Sequence, residues 1–242
     1  MELIETKPVY KRVLLKVSGE ALAGEKKTGL DFDIIRSVCT AVKAVVDMGV
    51  EVGIVVGGGN FWRGVKDGAG KIERVSADRM GMLATAINCL AVADVFKQAG
   101  VSAKVQTAVD IQGVGERYST QKSIEYLENG SVVLFGCGTG SPFFSTDTAA
   151  VLRAAEIHAD AILLAKNIDG VYSADPVKDP TAVKFDEITY DEVLARHLAV
   201  MDSTASSLAQ DNDIPVIVFA LADPDNIVRV LQGEKVGTYV SK

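Results

Sequence analysis

The sequence predicts an α/β protein with a three-layer α/β/α sandwich around a mostly parallel sheet. Short apolar runs rich in β-branched residues alternate with helical patterns along the 242-residue chain. Several of these runs are almost continuously apolar, as expected for strands that helices cover on both faces. Apolar residues make up 48% of the chain and aromatic residues only 6%, which favours aliphatic strands under helices over an all-β sandwich. We expect a single domain over residues 1–242, because a chain of this length can bury one large core.

Six strands are predicted, at residues 13–17, 50–56, 103–107, 132–135, 161–165 and 216–220. Between the first two strands we predict a helix, because Gly49 follows a run of apolar residues at helical spacing: Ile35, Val38, Val42 and Val45. Such a β-α-β unit has a right-handed crossover. From residue 166 to residue 185 the sequence is rich in Asn, Asp, Gly and Pro, which predicts a long irregular surface loop after the fifth strand.

Residues 78–97 form a helical segment with little polar face. A helix that is apolar all round is covered on more than one side. The second cover is either the core of this chain or another subunit, and the sequence leaves both interpretations open. Asp94 and Lys97 interrupt the segment, so we expect no apolar run long enough to span a bilayer.

Composition narrows the class of function. The formal net charge of −7 argues against nucleic-acid or anionic-membrane binding, so the positive charge for an anionic ligand must be supplied locally. Three widely spaced cysteines predict reduced thiols, and two isolated histidines predict no metal site: Cys39, Cys89, Cys137, His158 and His197. The first ten residues contain no apolar signal-peptide core, and we expect a cytoplasmic protein.

The second predicted strand ends in a glycine triplet. Gly57, Gly58 and Gly59 follow an apolar run, and Arg63 comes four residues after the last of them. Consecutive glycines allow close approach to the backbone and leave N–H groups free to bind an anion, and arginine is a planar donor suited to phosphate or carboxylate. The pattern therefore predicts an anion site. The alternative is a flexible turn between strand and helix.

The first strand ends in Lys16, Val17, Ser18 and Gly19. By alternation, Lys16 and Ser18 lie on one face of the strand. A lysine at the end of a buried strand needs an anion nearby, because burial of an unpaired charge is costly. The alternative is a lysine on an edge strand that extends its ammonium group into water.

A third strand, 132–135, is followed by a loop with glycines, hydroxyl groups and two aromatic rings. The hydroxyls and rings belong to Thr139, Ser141, Phe143, Phe144, Ser145 and Thr146. The two rings could form an apolar wall for a planar base. We expect a helix to begin around residues 146–147, with its N-terminal amides directed at the site. Asp147 is then either a functional carboxylate or a helix cap or first-turn acid.

In a parallel sheet the three strand ends share one edge, where ligands bind. Backbone amides with Lys and Arg, without a nucleophilic triad or metal cluster, are suited to phosphoryl transfer, which mainly needs positioning and charge neutralisation. No G-x-x-x-x-G-K-[ST] motif and no strict G-x-G-x-x-G motif occurs in the chain. A P-loop kinase and a dinucleotide enzyme are therefore disfavoured.

With these residues in place, the chain resembles the amino-acid kinase superfamily and, within it, the bacterial UMP kinases. The resemblance extends over essentially the whole chain. It depends on four motifs: Gly57-Gly58-Gly59-Asn60-x-x-Arg63-Gly64, Asp78-x-Met80-Gly81-Met82-Leu83-Ala84-Thr85, Thr139-Gly140-x-Pro142-Phe143-Phe144-x-Thr146-Asp147 and Asp169-Gly170-Val171-Tyr172-x-x-Asp175-Pro176.

The resemblance implies ATP-dependent phosphorylation of UMP to UDP, in pyrimidine nucleotide and CTP biosynthesis. It implies an ATP site formed by Lys16, Val17, Ser18, Gly19, Gly59, Arg63, Asn167, Tyr172 and Asp175. It implies a UMP site formed by Gly58, Asp78, Thr139, Gly140, Ser141, Pro142, Phe143, Phe144, Ser145 and Thr146. The implied catalytic residues are Lys16, Arg63 and Asp147. The N-terminal part would hold mainly the acceptor and the C-terminal part mainly ATP.

The resemblance also implies Mg²⁺ carried with ATP, without a dedicated carboxylate cage, and a homohexamer assembled from dimers. Many members respond to GTP and UTP, and a turn tied to GTP activation in some of them carries two lysines here, Lys26 and Lys27. Two other hypotheses stay open at this point. One is a related kinase acting on carbamate or an amino-acid carboxylate, and the other is a non-catalytic nucleotide-binding protein.

Overall fold

The computed structural model describes residues 7–63 and 67–242 of the chain. Its strands are β1 Arg12–Val17, β2 Glu51–Val56, β3 Ala103–Thr107, β4 Glu116–Arg117, β5 Val132–Gly136, β6 Ala161–Lys166, β7 Val171–Tyr172, β8 Lys184–Phe185, β9 Glu187–Thr189, β10 Val216–Ala220 and β11 Thr238–Ser241. Nine of them form one sheet in the order β4-β3-β5-β2-β1-β6-β10-β11-β9, and β7 pairs with β8. Within the large sheet, only β10 and β11 are antiparallel.

The helices lie between the strands. They are α1 Gly19–Ala23, α2 Phe32–Asp47, α3 Arg74–Gln98, α4 Thr120–Glu128, α5 Thr146–Glu156, α6 Tyr190–Ala195, α7 Ser203–Asp211 and α8 Asn226–Leu231, with a 3₁₀ turn at Gly24–Lys26. The sequence specifies several of their starts directly. At α2, for example, the Asp31 carboxylate accepts hydrogen bonds from the amides of Asp33 and Ile34, which satisfies N–H groups that have no partner within the helix.

Two apolar layers enclose the sheet, one on each face. In β1, Val13 and Val17 pack into a core with residues of α2, α3 and α8. Leu14, one residue out of phase, packs into a second core with residues of α5 and α7. All six residues of β1 are buried, because the strand lies in the middle of the sheet with helices on both faces. The predicted three-layer α/β/α fold is confirmed.

All six predicted strands are present, with ends that agree within one residue. The sequence did not reveal β4, β7, β8, β9 or β11, which have two to four residues each and are too short for a period-two pattern to be recognised. The prediction of an irregular loop over residues 166–185 was wrong in part. Lys166 ends β6, and within the segment Val171 and Tyr172 pair with Phe185 and Lys184.

Helix α3 begins one turn before the predicted segment and has two different faces. One face is buried against the sheet, with Ala77, Cys89 and Phe96 fully enclosed. On the other face lies what we call the α3 stripe: Met80, Leu83, Ile87 and Leu90, which are 42%, 51%, 48% and 42% exposed. The spacing of three and four residues places these four side chains in one row along the helix.

The length of α3 corrects one expectation. Its 25 residues are long and apolar enough to cross a membrane by length and composition, although 56% of its most apolar stretch is buried inside the protein. An apolar stretch of this length can contain two charged residues and still meet the criterion, so Asp94 and Lys97 do not exclude it. A core helix of a sheet protein meets the same criterion, and the buried share fits that interpretation.

The three cysteines are free and buried. Burial raises the pKa of the Cys39 thiol to about 11 and that of the Cys89 thiol to about 12. Both are therefore protonated at neutral pH and unreactive as nucleophiles. They serve as small core residues, as the sequence predicts for reduced thiols.

Candidate functional site

Three strand ends meet at one edge of the sheet, as predicted. Strands β5, β2 and β1 are neighbours, and Lys16 pairs with Val55 across β1 and β2. The Gly57 amide donates to the Val17 carbonyl at 2.9 Å. The residues that follow β1 therefore lie directly beside the glycine triplet.

Gly19 is held where only glycine fits. A Cβ atom at this position would lie 2.4 Å from the Gly57 carbonyl oxygen and 2.6 Å from the Asn60 side-chain oxygen. The first of these atoms belongs to the backbone and cannot rotate away. The glycine is therefore required by the close approach of the two loops and not only by a turn.

Lys16 and Asp147 form an ion pair at the centre of this edge. The two groups are 2.5 Å apart, with side chains 9% and 19% exposed. Because β1 is a central strand, the alternative of an edge lysine reaching into water is excluded. The paired oxygen of Asp147 is buried and accepts no hydrogen bond from the described residues apart from this contact with Lys16. The Lys16 ammonium is thus the partner that compensates the burial of this negative charge.

Helix α5 presents Asp147 to the site. Ser145, not Asp147, caps the helix: its hydroxyl oxygen accepts from the amides of Asp147 and Thr148 at 2.9 and 3.2 Å. The Ser145 hydroxyl in turn donates to Asp202, which caps α7 by accepting from the Ala205 amide. Asp202 thereby fixes the start of α5. Sequence reasoning missed it, because it is far away in the chain.

A second lysine at this edge was also missed. Lys166 ends β6, the other neighbour of β1, and Leu164 on the same strand pairs with Lys16. Strand alternation places Lys166 and Lys16 on the same face. The Lys166 ammonium donates to the carbonyls of Val200 and, at 3.5 Å, Ala199. Its position directly after the predicted strand 161–165 was the sequence signal that could have identified it.

The charge of Lys166 is perturbed by its surroundings. Burial lowers the pKa of its ammonium group, the negative charge of Asp147 opposes this, and the positive charge of Lys16 lowers the pKa further. The dependence on both partners indicates that the three groups share one electrostatic environment. A partly buried lysine of this kind is a feature of functional sites.

Lys166 makes stability depend on pH. The ordinary pKa of its ammonium group is 10.5, and its pKa in the folded protein is lower. At pH values between the two, the unfolded chain therefore binds more protons than the folded protein. The cost of the buried charge is fully present below this window and is relieved as pH rises through it. From about pH 7 to about pH 10, we therefore expect the free energy of unfolding of wild type to rise relative to Lys166→Met.

Urea denaturation at both pH values measures this change. Lys104→Met is the matched control, because Lys104 also lies on a strand but is exposed. A difference between wild type and Lys166→Met that stays constant with pH would contradict the assignment.

One cavity at this edge has the position predicted for the acceptor. It measures about 160 Å³ and is lined by Gly58, Trp62, Asp78, Gly81, Met82, Thr85, Gly138, Thr139, Ser141, Phe144, Ser145 and Thr146. Seven of these were predicted from the sequence. Gly140, Pro142 and Phe143 belong to the same loop without lining the cavity, so only Phe144 of the expected aromatic pair forms a wall.

The carboxylate of Asp78 is held on one side by the protein. It accepts from the Phe143 amide at 2.8 Å, and the Arg74 side chain donates to both of its oxygens at 2.8 Å. Its side chain is 13% exposed and lines the cavity. Gly58 closes the floor against α3: a Cβ there would lie 2.8 Å from the Gly81 carbonyl oxygen.

A larger cavity adjoins the glycine triplet at Gly59, and a second larger cavity adjoins the first. One, of about 450 Å³, is lined by Glu20, Gly24, Lys27, Thr28, Gly59, Asn60, Phe61, Arg63, Asp67 and Asn167. A second, of about 520 Å³, shares Glu20, Gly24 and Asn167 with it. The Arg63 guanidinium is paired with Glu20. Tyr172 and Asp175, also predicted here, line neither cavity: Tyr172 lies on β7 and donates to Asp169, and Asp175 lies between β7 and β8. Lys16, Val17, Ser18 and Gly19, predicted for the same site, do not line either cavity.

Two buried asparagines brace the glycine triplet. Asn60 and Asn88 exchange side-chain hydrogen bonds at 3.0 and 2.8 Å. Asn88 also donates to the Gly57 carbonyl at 2.6 Å, and Asn60 to the Gly29 carbonyl at 2.7 Å. The triplet is therefore tied to α3 and to the turn before α2, which excludes the alternative of a flexible turn.

The described residues fit a metal ion carried by a phosphate ligand. Over residues 7–63 and 67–242, no three His, Cys, Asp or Glu side chains are grouped to hold a metal. The Asp147 carboxylate lies at this edge, with one oxygen 2.5 Å from the Lys16 ammonium, and Mg²⁺ commonly uses one or two carboxylates together with substrate phosphates. The donor set thus suits Mg²⁺ bound mainly to a nucleotide.

Comparisons with known proteins agree with this geometry. Residues 11–220 match the amino acid kinase family. Among solved structures, UMP kinase from Bacillus anthracis is 38% identical with a TM-score of 0.92, and the match covers 96% of each chain. UMP kinase from Ureaplasma parvum is 37% identical with a TM-score of 0.90, covering 96% of this chain and 99% of that one. Uridylate kinase from Archaeoglobus fulgidus is 29% identical with a TM-score of 0.74, covering 95% and 99%.

Proposed function

Because this chain belongs to the amino acid kinase family, we propose that it transfers the terminal phosphoryl group of ATP to UMP, giving UDP. The observation that carries the proposal is the pair of cavities on either side of the glycine triplet. Gly58 lines the smaller cavity and Gly59 the larger one. Two ligands that occupy them would therefore approach each other within about one residue of backbone. Lys16 and Asp147 line neither cavity, but Lys16 lies on β1 next to β2, and Asp147 follows Thr146, which lines the smaller cavity.

The smaller cavity suits the acceptor. The hydroxyls of Thr139, Ser141 and Thr146 and the face of Phe144 line it, and a nucleobase needs this combination of polar edge groups and an apolar wall. Asp78 would accept hydrogen bonds from the ribose, and Gly58 would let the backbone approach the nucleotide. Gly140, Pro142 and Phe143 would maintain the conformation of the loop between β5 and α5.

The larger cavities suit the donor. Arg63 and Asn167 line one of them together with Gly59. Lys16, Val17, Ser18 and Gly19 do not line it themselves, but they directly precede Glu20, which does. We assign this region to ATP, with Lys16 and the amides near Gly19 on its phosphates. Tyr172 and Asp175 would border the adenosine from the 166–185 loop, so that the C-terminal part holds mainly ATP and the N-terminal part mainly UMP.

The mechanism needs charge neutralisation and alignment but no general base, since the acceptor is already an ionised phosphate. Lys16 would stabilise the negative charge on the transferring phosphoryl group, and Asp147 would hold the Lys16 ammonium in place. Arg63 would contact the phosphates after leaving Glu20. When bound with ATP, Mg²⁺ supplies further neutralisation of the phosphate oxygens.

A direct assay tests the reaction. The protein is incubated with MgATP and separately with UMP, CMP, dUMP, carbamate and acidic amino acids, and ADP release is measured. We expect turnover that depends on UMP. Turnover only with a carboxylate or carbamate would favour a different acceptor class, and nucleotide binding without any ADP release would indicate a non-catalytic protein.

The α3 stripe favours self-association. Met80, Leu83, Ile87 and Leu90 span about 15 Å along one helix, and the same stripe on a second copy gives a self-complementary, two-fold interface. We propose that this dimer is the unit of a homohexamer. Asp78 and Met82, on another face of the same helix, line the acceptor cavity, so the interface would also support the site.

Leu83→Glu is expected to break this interface, because burying an unpaired carboxylate in an apolar contact is costly. Light scattering after size exclusion would then give a smaller species than wild type. Val183→Glu is the control, since Val183 is 64% exposed and lies outside the stripe. An unchanged mass for Leu83→Glu would rule out the stripe as the contact.

We also propose a cytoplasmic role in pyrimidine nucleotide biosynthesis, upstream of CTP, with GTP and UTP as effectors. The turn with Lys26 and Lys27 offers positive charge next to the larger cavity, and Lys27 lines it. Adding each nucleotide to the assay above, at saturating and subsaturating UMP, would test both effectors.

A further inference from the structure

Arg74 lies at the start of α3, one helical turn before Asp78. Its Nε is 2.8 Å from both oxygens of the Asp78 carboxylate. Residues four apart on a helix face each other, so this contact is built into the helix. The Arg74 side chain is 44% exposed, whereas that of Asp78 is 13% exposed. Arg74 therefore approaches Asp78 from the solvent side and does not itself line the acceptor cavity.

The same arginine contacts the loop that closes the cavity. Its guanidinium lies 5.3 Å from the centre of the Phe143 ring, within the range of a cation–π contact. The Phe143 amide donates to Asp78 at 2.8 Å, and Phe143 has a positive φ of 72°, which is unusual for a bulky residue. Arg74, Asp78 and Phe143 thus form one cluster, which we call the acceptor clamp.

The acceptor clamp leaves only part of the carboxylate free. A carboxylate offers about four lone-pair sites, and Arg74 and Phe143 occupy those on the protein side. Because Asp78 lines the cavity, the remaining sites are available to a ligand bound there. Without Arg74, the Asp78 side chain could rotate and the loop at Phe143 would lose one of its two attachments within the clamp.

We propose that Arg74 is a positioning residue that sets specificity for a ribonucleotide over a 2′-deoxyribonucleotide. It would fix the Asp78 carboxylate so that both vicinal ribose hydroxyls of the acceptor donate to it. This inference rests on the proposed function, since it assumes a nucleotide in the smaller cavity. A site that binds a hydroxyl with a fixed, buried acceptor strongly rejects the analogue that lacks it, whereas a mobile acceptor discriminates less.

The test compares Arg74→Met with wild type, using UMP and dUMP. Methionine keeps much of the length of the side chain and removes its donors and charge. We expect KM for UMP to rise about tenfold and the UMP-to-dUMP ratio of kcat/KM to fall about tenfold, since charged hydrogen bonds of this kind contribute this order of effect. KM for ATP should stay within about twofold. Arg74→Lys should recover little, because lysine lacks the planar guanidinium that lies over the Phe143 ring while its Nε contacts Asp78.

Arg79→Met is the matched control: Arg79 lies on the same helix and is exposed. Asp78→Ala removes the carboxylate itself. Its UMP-to-dUMP ratio of kcat/KM therefore gives the largest decrease that loss of the acceptor clamp can cause. An Arg74→Met protein that keeps the wild-type UMP-to-dUMP ratio would overturn the inference. So would an equal rise in KM for ATP, which would indicate general loosening of the fold.

The transfer of a phosphoryl group to UMP and the role of Arg74 can be refuted independently of each other. A wild-type protein without UMP-dependent turnover would refute the proposed function. Calorimetric binding of UMP and dUMP to wild type and Arg74→Met, without ATP, would still decide the role of Arg74. Equal preference for UMP in both proteins, or binding of neither nucleotide to wild type, would refute that role.

Discussion

Replacing Lys16 with alanine is expected to lower kcat by about 10³-fold or more, the order of effect of one well-placed cation in phosphoryl transfer. Affinity for UMP should stay within about twofold, because Lys16 does not line the acceptor cavity. The variant also leaves the Asp147 carboxylate without its ion-pair partner at 2.5 Å. Steady-state kinetics with calorimetric UMP binding separates the two effects.

The control for this change is Lys104→Ala, which removes an exposed lysine from β3 of the same sheet. We expect its kcat to match that of wild type. If Lys16→Ala lost UMP binding and turnover together, Lys16 would act in acceptor binding or folding, and its proposed role at the phosphoryl group would be wrong.

Gly19→Ala should have the second large effect. The added methyl group would lie 2.4 Å from the Gly57 carbonyl oxygen, so the loop after β1 and the glycine triplet must separate. Overpacking of this kind costs about 1–3 kcal/mol in stability. The shift also displaces the backbone proposed to hold the ATP phosphates, and a displacement of about 1 Å can cost about 10²-fold in rate.

Thermal unfolding and kcat/KM for ATP measure the two parts of this prediction. Gly81→Ala is the control, because it adds the same methyl group next to the acceptor cavity, where, among the described residues outside the helix's own backbone, only the Trp62 ring lies within 4 Å, at 3.9 Å. It should stay within a few-fold of wild type and gain helix stability of up to about 1 kcal/mol. Wild-type activity in Gly19→Ala would show that the loops can separate without consequence.

The fold could be predicted because its central strands consist almost entirely of apolar residues. β1 and β5 are buried along their entire length, and a strand covered on both faces needs an almost unbroken apolar run. The edge strands carry no such requirement. For example, β4 has two residues, Glu116 and Arg117, and depends on its neighbour β3 for pairing, so no local pattern marks it.

The site could be predicted where its chemistry lies in one segment of the chain. Glycines at three strand ends, Lys16 and the loop before α5 follow directly from local sequence. Asp202, Lys166 and Asn88 could not be assigned in this way. Each acts through a partner far away in the chain: Asp202 through Ser145, Lys166 through Val200 and Asn88 through Gly57.

The sequence by itself determined the α/β/α layers, the shared edge of three strand ends and the candidate phosphate-binding residues, because hydrophobic periodicity and glycine placement are local properties. Only the tertiary structure decided how these residues are used. It paired Lys16 with Asp147, assigned the α5 cap to Ser145, and separated α3 into a buried face and an exposed stripe. These outcomes depend on which surfaces of distant segments come into contact, and the period of an apolar pattern does not encode that information.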